Sequence, residues 1–208
     1  MKKTISILFT LAFAAMAFAQ TPEEIVSRME EEMTRHEKDG IIMTVDVKVP
    51  IMGTVSTKVY SLGDKDRVEA KMLGVSFITW SDSETEWEYN SKKNEVEITK
   101  IDADKHADES GGDTEMFSGI NDDYDISIKK ETADAWHILC KKSKTNTDKD
   151  APKTMNLVVA KGTYYPISLS AKMSGMTMTM RDISFGVSEQ QVTFHPEDFP
   201  GVTIVDKR

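Results

Sequence analysis

From Ile41 onward this chain alternates apolar and polar residues with a period of two, and the stretch from Phe77 to Ile101 shows the pattern best. From Thr85 the alternation is strict, with Thr85, Trp87 and Tyr89 on one face and Glu86 and Glu88 on the other, as in a half-buried antiparallel strand. The clusters Ser81-Asp82-Ser83 and Asn90-Ser91-Lys92-Lys93-Asn94 are polar enough to turn the chain without orphaning backbone groups. The stretch therefore reads strand, turn, strand, turn, strand, with two large aromatic rings on one wall.

The same period organises the rest of the chain. Met43, Val45, Val47 and Val49 alternate with Thr44, Asp46 and Lys48 up to Pro50 and a turn near Gly53; a second strand runs from Val55 to Leu62. Gly63-Asp64-Lys65-Asp66 turns the chain into a third, Arg67 to Met72, with Val68, Ala70 and Met72 on one face. Later strands are marked by Ile126 and Ile128, by Trp136, Ile138 and Cys140, by Met155, Leu157 and Val159, by Leu169 and Ala171, and by Met176, Met178 and Met180. The chain ends with Gln191 to Pro196, a turn, and Gly201 to Asp206. The inventory is about ten strands in antiparallel order, more than a flat sheet holds without curling, so the expected architecture is mainly β: a strongly bent or barrel-like sheet.

One helix is legible. Thr21-Pro22-Glu23-Glu24 is a capping box with Pro at the first helical position; Ile25, Val26, Met29 and Met33 form an apolar stripe that ends by Gly40. One helix is little cover for so many apolar strand faces. Either two sheets pack on each other or a bent sheet encloses a space.

The N-terminus reads as an export signal: Lys2-Lys3, an apolar core from Ile5 to Phe13, and the small-x-small site Ala17-Phe18-Ala19. The apolar run is shorter than the ~20 residues that span a bilayer. Cleavage after Ala19 is expected, leaving residues 20–208 as a single exported domain with no cysteine at its start to carry a lipid. The net charge of −9 becomes more negative when Lys2 and Lys3 leave, a surface that repels nucleic acid and anionic membrane faces. Cys140 is the only cysteine, so no intramolecular disulfide forms, and its place in an alternating strand predicts a buried, unreactive thiol.

Chemistry-bearing constellations are sparse. His36, His106, His137 and His195 are scattered, with no nucleophile motif near them and no Gly-rich phosphate loop, so neither catalytic residues nor a cofactor is expected. Between Ile101 and Tyr124 the pattern gives way to an acidic, Gly-interrupted connection anchored only by Met116, Phe117 and Ile120. Within it, Asp102, Asp104, His106, Asp108 and Asp113 sit near calcium-loop positions, but Ala107 replaces the turn glycine, and a solvated acidic loop is the better reading. Met176, Met178 and Met180 offer soft thioethers to Cu(I), yet at a spacing of two they are more simply the adaptable apolar face of a strand.

Two motifs carry a family resemblance. Ser81-Asp82, Thr85, Trp87, Tyr89-Asn90 and Glu95 resemble a hairpin of the periplasmic lipoprotein carriers of the LolA family; Thr193-Phe194-His195-Pro196, then Gly201-Val202-Thr203, Asp206 and Arg208, resemble the C-terminal stretch of the same family. The order of elements is similar over most of residues 20–208. The resemblance implies an incomplete antiparallel β-barrel, with a helical or loop lid in the 102–124 region, that shelters the acyl chains of lipoproteins. It implies a monomeric periplasmic carrier, not an enzyme, that receives acylated lipoproteins from an inner-membrane ABC-type release complex and passes them to an outer-membrane acceptor. A lipid- or lipoprotein-sensing module on the same fold is the alternative. The family's Arg-Pro before the second turn is missing at Ser61, Leu62 and Gly63, so no Arg-held lid is implied here. The expected acyl-chain wall comprises Val45, Val47, Val59, Val68, Trp87, Tyr89, Leu157, Leu169, Met176, Met178 and Met180, with Met29 and Met33 on the covering helix.

Overall fold

The computed structural model describes residues 20–51, 53–101 and 117–208. The expected leader, the calcium-like run and most of the expected lid region lie outside them.

Helix α1 (Pro22–Arg35) begins where the capping box predicts: Thr21 Oγ1 accepts from the Glu24 amide at 3.2 Å and the Glu24 carboxylate accepts from the Thr21 amide. Ile25, Val26, Met29 and Met33 are buried along one side. A short 3-10 turn (Glu37–Asp39) follows, and Gly40, at φ +70°, turns the chain into the sheet. A Cβ there would lie 2.6 Å from the Ser61 carbonyl oxygen and 2.8 Å from Val187 Cβ, so this glycine is required by both backbone and space.

The alternating segments form twelve strands in one sheet: β1 (Ile41–Val49), β2 (Gly53–Leu62), β3 (Lys65–Met72), β4 (Val75–Ser81), β5 (Thr85–Asn90), β6 (Glu95–Lys100), β7 (Tyr124–Glu131), β8 (Ala135–Lys142), β9 (Thr154–Ala160), β10 (Pro166–Met173), β11 (Met176–Phe185) and β12 (Thr203–Asp206). The order is β12-β6-β5-β4-β3-β2-β1-β11-β10-β9-β8-β7, antiparallel except for β12, which adds parallel to β6. The sheet has two free edges and does not close. It is the incomplete antiparallel barrel of the sequence reading, with twelve strands rather than ten.

One local correction follows from register. β11 continues past Met180 to Phe185, with Asp182 at φ +55° in an irregularity opposite Ile42 and Thr44. That extra residue shifts the phase by one, so Ile183 and Phe185 join Met178 and Met180 on the same face. Around the Gln191 to Pro196 stretch, Glu189–Val192 is a single helical turn, α2, with a capping box from Ser188 to Gln191, and Pro196–Asp198 is a 3-10 turn. Ile120–Asp123 forms another short helical turn before β7.

Cross-strand pairing decides which residues share a face. Met180, Val45, Leu169, Leu157 and Ile138 lie in one row across β11, β1, β10, β9 and β8. This face carries α1, and its core is the α1 stripe together with Ile41, Met43, Phe117, Trp136, Ile138, Cys140, Leu157, Val159 and their neighbours. In the other half of the sheet the row Tyr60, Arg67, Trp80, Trp87, Ile98 lies on the opposite face. There the C-terminal segment from Val187 to Phe199 is the cover.

Candidate functional site

The expected wall divides into three groups. Met29, Met33, Leu157, Leu169 and Met180 are at most 5% exposed and form the closed core beneath α1. They are packing residues, and α1 already fills the space above them.

The second group lies on the same face beyond the reach of that core. Val45, Val59 and Met178 are half-buried at its margin. From there the pairs Val47 with Val55, Val59 with Val68, and Ala70 with Phe77 extend an apolar shelf across β1 to β4. Val47, Val68 and Phe77 are half-buried and belong to neither buried cluster of the described residues. Met176, next along β11 from Met178, is 39% exposed at the shelf's end. Along β5 and β6 the same face turns acidic: Thr79 pairs with Glu88 and Glu88 with Glu97, while Phe77 pairs with Asn90 and Asn90 with Glu95. The shelf is therefore bounded by a helix-covered core on one side and a carboxylate rim on the other.

Trp87 and Tyr89 form the third group, and here the structure corrects the expectation of one common wall. They share a face, as alternation predicts, but it is the face away from α1. Phe194 stacks on Trp87 with ring centroids 6.4 Å apart, Phe199 packs on Tyr89 at 4.8 Å, and both flank the buried Trp80 at 5.3 and 5.5 Å. The Arg67 guanidinium lies over the Tyr60 and Trp80 rings, pairs with Glu69 at 2.7 Å and donates to the Gln191 carbonyl at 3.4 Å. Val187 and Val192 pack with Tyr60, and Asn94 Nδ2 donates to the Gly201 carbonyl at 2.9 Å. The strap and its β12 thus close the aromatic face. Phe194 in the C-terminal motif and Phe199 just after it are the sequence signal for this partner, and alternation alone does not connect them to Trp87.

The polar side chains are mostly engaged in holding the fold. His36 uses both ring nitrogens, Nδ1 with Asp39 Oδ2 at 2.6 Å and Nε2 with the Tyr165 hydroxyl at 2.7 Å, and stacks on Phe185 at 4.6 Å. It borders an open cleft of about 620 Å³ with Lys38, Ile183 and Val187. With neither nitrogen free, it clasps the end of α1 to the sheet rather than presenting a base or a metal ligand. Cys140 is fully buried and its thiol is pushed up to about 11 by desolvation, so it stays protonated, as its place in the strand predicted. Glu30, also held above its ordinary range mainly by burial, accepts from the Ile120 amide at 3.0 Å and ties α1 to the turn before β7. Among the described residues no three His, Cys, Asp or Glu side chains gather as a metal site would require.

No family model matches the chain. No curated protein matches it in sequence. Similar solved structures include the lipoprotein LppX of Mycobacterium tuberculosis (10% identity, TM-score 0.48, 77% of this chain and 93% of that one) and a LolA superfamily protein of Nitrosomonas europaea (10% identity, TM-score 0.35, 86% and 100%). A MucA/MucB complex of Pseudomonas aeruginosa is similar at 10% identity and a TM-score of 0.45, over 85% of this chain and 62% of that one. The architecture of the described residues is an N-terminal helix on an open and almost wholly antiparallel sheet.

Proposed function

We propose that this protein is a periplasmic carrier of acylated lipoproteins, and that acyl chains lie on the apolar shelf running from Val45 and Val47 through Val59 and Val68 to Phe77. The observation that carries the reading is that shelf: contiguous, half-buried and on the α1 side of the sheet, packed against the core at Val45 and Val59 and outside both clusters at Val47, Val68 and Phe77. Hiding a methylene from water is worth ~0.8 kcal/mol, so a multiply acylated polypeptide cannot cross an aqueous compartment without such a surface. Valine, alanine, phenylalanine and the adaptable Met178 suit chains of varied length, since no polar contact has to be matched. The resemblance of the Ser81–Glu95 and Thr193–Arg208 motifs to the LolA family supports the same reading, with an inner-membrane ABC-type release complex as donor and an outer-membrane protein as acceptor. No chemical step is part of the proposal.

Native mass spectrometry of the exported protein, mixed with a triacylated lipopeptide and with its deacylated control, tests it. A complex with the acylated form alone is expected, and Phe77→Asp is expected to abolish it. Absence of a complex with either ligand would contradict the proposal. The sensing alternative shares the same surface and separates from the carrier in a transfer assay, where a sensor retains its ligand and a carrier hands it on.

A further inference from the structure

Three hairpins end side by side at one end of the sheet. The contiguous order β4-β3-β2-β1-β11-β10 places the β3–β4, β1–β2 and β10–β11 turns next to one another. These tips carry most of the exposed large apolar side chains among the described residues: Ile51 and Leu73 are fully exposed, and Met72, Met173 and Met176 are exposed beside them.

The backbone at the tips makes this arrangement costly. Ile51 and Leu73 lie at φ +74° and +52°, in the left-handed region where a bulky side chain is strained and Gly, Asn or Asp is not. The β10–β11 turn supplies an internal control: Ser174-Gly175 has φ values of +47° and +84°, close to the +52° and +82° of Leu73-Gly74, and places a polar residue where β3–β4 places leucine. The fold therefore does not require an apolar residue at that position. Strain that secures no packing points to a role in contact with something else.

Charge indicates the partner. Lys48, Lys71 and Lys172 are exposed beside the three tips, and Lys92 and Lys93 occupy the neighbouring β5–β6 turn. Lys149 and Lys153, with Lys172 and Met173, line a cleft of about 590 Å³ that also includes Asp150. The turns at the other end of the sheet carry Asp64, Asp82, Glu84 and Asp134. Lys65 and Lys161 also lie at that end, but each is paired with a glutamate, at 2.7 and 2.6 Å, whereas among the described residues the three tips are flanked by lysines and carry no carboxylate of their own.

We propose that this end of the sheet docks on an anionic lipid surface, with Ile51 and Leu73 entering the headgroup region and the flanking lysines meeting phosphates. Shallow apolar insertion combined with a basic patch is the pairing of signals that gives reversible membrane attachment. This goes beyond the carrier reading, because it involves no cargo and rests on the turns beyond the end of the shelf, which meets them at Met176.

Flotation of the exported protein with phosphatidylethanolamine–phosphatidylglycerol vesicles, against phosphatidylcholine vesicles, tests it. The protein is expected to float with the anionic vesicles at low salt and to be released at high salt. The double variant Ile51→Asn, Leu73→Asn is expected to lower the floated fraction by about fivefold or more. Asparagine tolerates the left-handed backbone, so this variant is expected to melt no lower than the parent, while Asp134→Asn at the far end leaves flotation unchanged. No flotation with anionic vesicles, equal flotation with both vesicle types, or an unaffected double variant would each overturn the proposal; a tip that serves a protein partner instead gives the first of these results. Phe77→Asp separates this from the carrier reading: it is expected to leave flotation unchanged, and a loss of flotation equal to that of the double variant would overturn the proposal by placing the vesicle contact on the shelf.

Discussion

The two halves of the sheet bury opposite faces. Across β7–β11 and β1 the apolar residues face α1, and Leu157, Ile138 and Met180 are sealed beneath it. Across β2–β6 the heavy aromatics face the other way, under the C-terminal strap, while the α1-side face of the same strands holds Val59, Val68 and Phe77 and then a row of glutamates. One helix and one strap, placed on opposite faces at opposite ends, cannot cover both sides of an open twelve-stranded sheet. Among the described residues, neither cover reaches the α1-side face of β2–β4, and that stretch is the shelf. Two packed sheets or an evenly enclosed barrel would have left no such place.

The comparison predicts a gradient of effects. Leu157→Ala opens a cavity in the sealed half and is expected to cost ~2–5 kcal/mol, read as a large fall in melting temperature. Phe194→Ala removes the ring between Trp80 and Trp87 and is expected to cost less, ~1–3 kcal/mol, because that ring is half-buried. Its signature is regional: amide exchange should accelerate in the strap and β5–β6 while β8 and β9 keep their protection. If the α1 half loosens equally, the two covers are not separate units. Val68→Asp on the shelf is expected to change stability by under ~1 kcal/mol, as an exposed-side substitution does, while removing acyl-ligand binding; severe destabilisation would show that the shelf is packed core.

The smallest effects are those of pH, and they run in opposite directions in the two halves. Asp206 at the end of β12 is held down to about 2 from 3.8, chiefly by its hydrogen bond from Arg208. Its contribution is complete above 3.8 and is lost as pH falls through 2, so protection of β12 against exchange should drop only in strong acid. Glu30 is raised above 4.5 by burial, so its penalty is absent below 4.5 and develops as pH rises through the folded value. Glu30→Gln should therefore raise the melting temperature slightly at neutral pH and not below pH 4.5. A loss of stability at neutral pH would mean that the carboxylate's bond to the Ile120 amide outweighs its burial.

Much of this could be read in the sequence. The capping box at Thr21, the α1 stripe, nearly every strand and the burial of Cys140 follow from local rules whose signals lie within a few residues of the feature. The distribution of the wall does not. A period of two shows that Trp87 and Tyr89 share a face, but which face depends on register carried across three hairpins from Val59, and a shift of one residue inverts it. The bulge at Asp182 does the same within β11, where a run of alternating methionines gives way to Ile183 and Phe185 one step out of phase. The strap was harder still, because its aromatics lie about a hundred residues from the rings they cover. Position along the chain conveys nothing of that contact until the sheet is assembled.

The central claim is that ligand contacts the α1-side shelf and not the aromatic face. Photocrosslinking with a lipopeptide carrying a diazirine in its acyl chain, followed by peptide mapping, tests it most directly. Adducts on β2, β3 and β4 at residues of the Val59, Val68 and Phe77 parity are predicted. Adducts concentrated on Trp87, Tyr89, Phe194 or Phe199 would mean that the strap lifts to admit the chain, and would contradict the shelf as the binding surface.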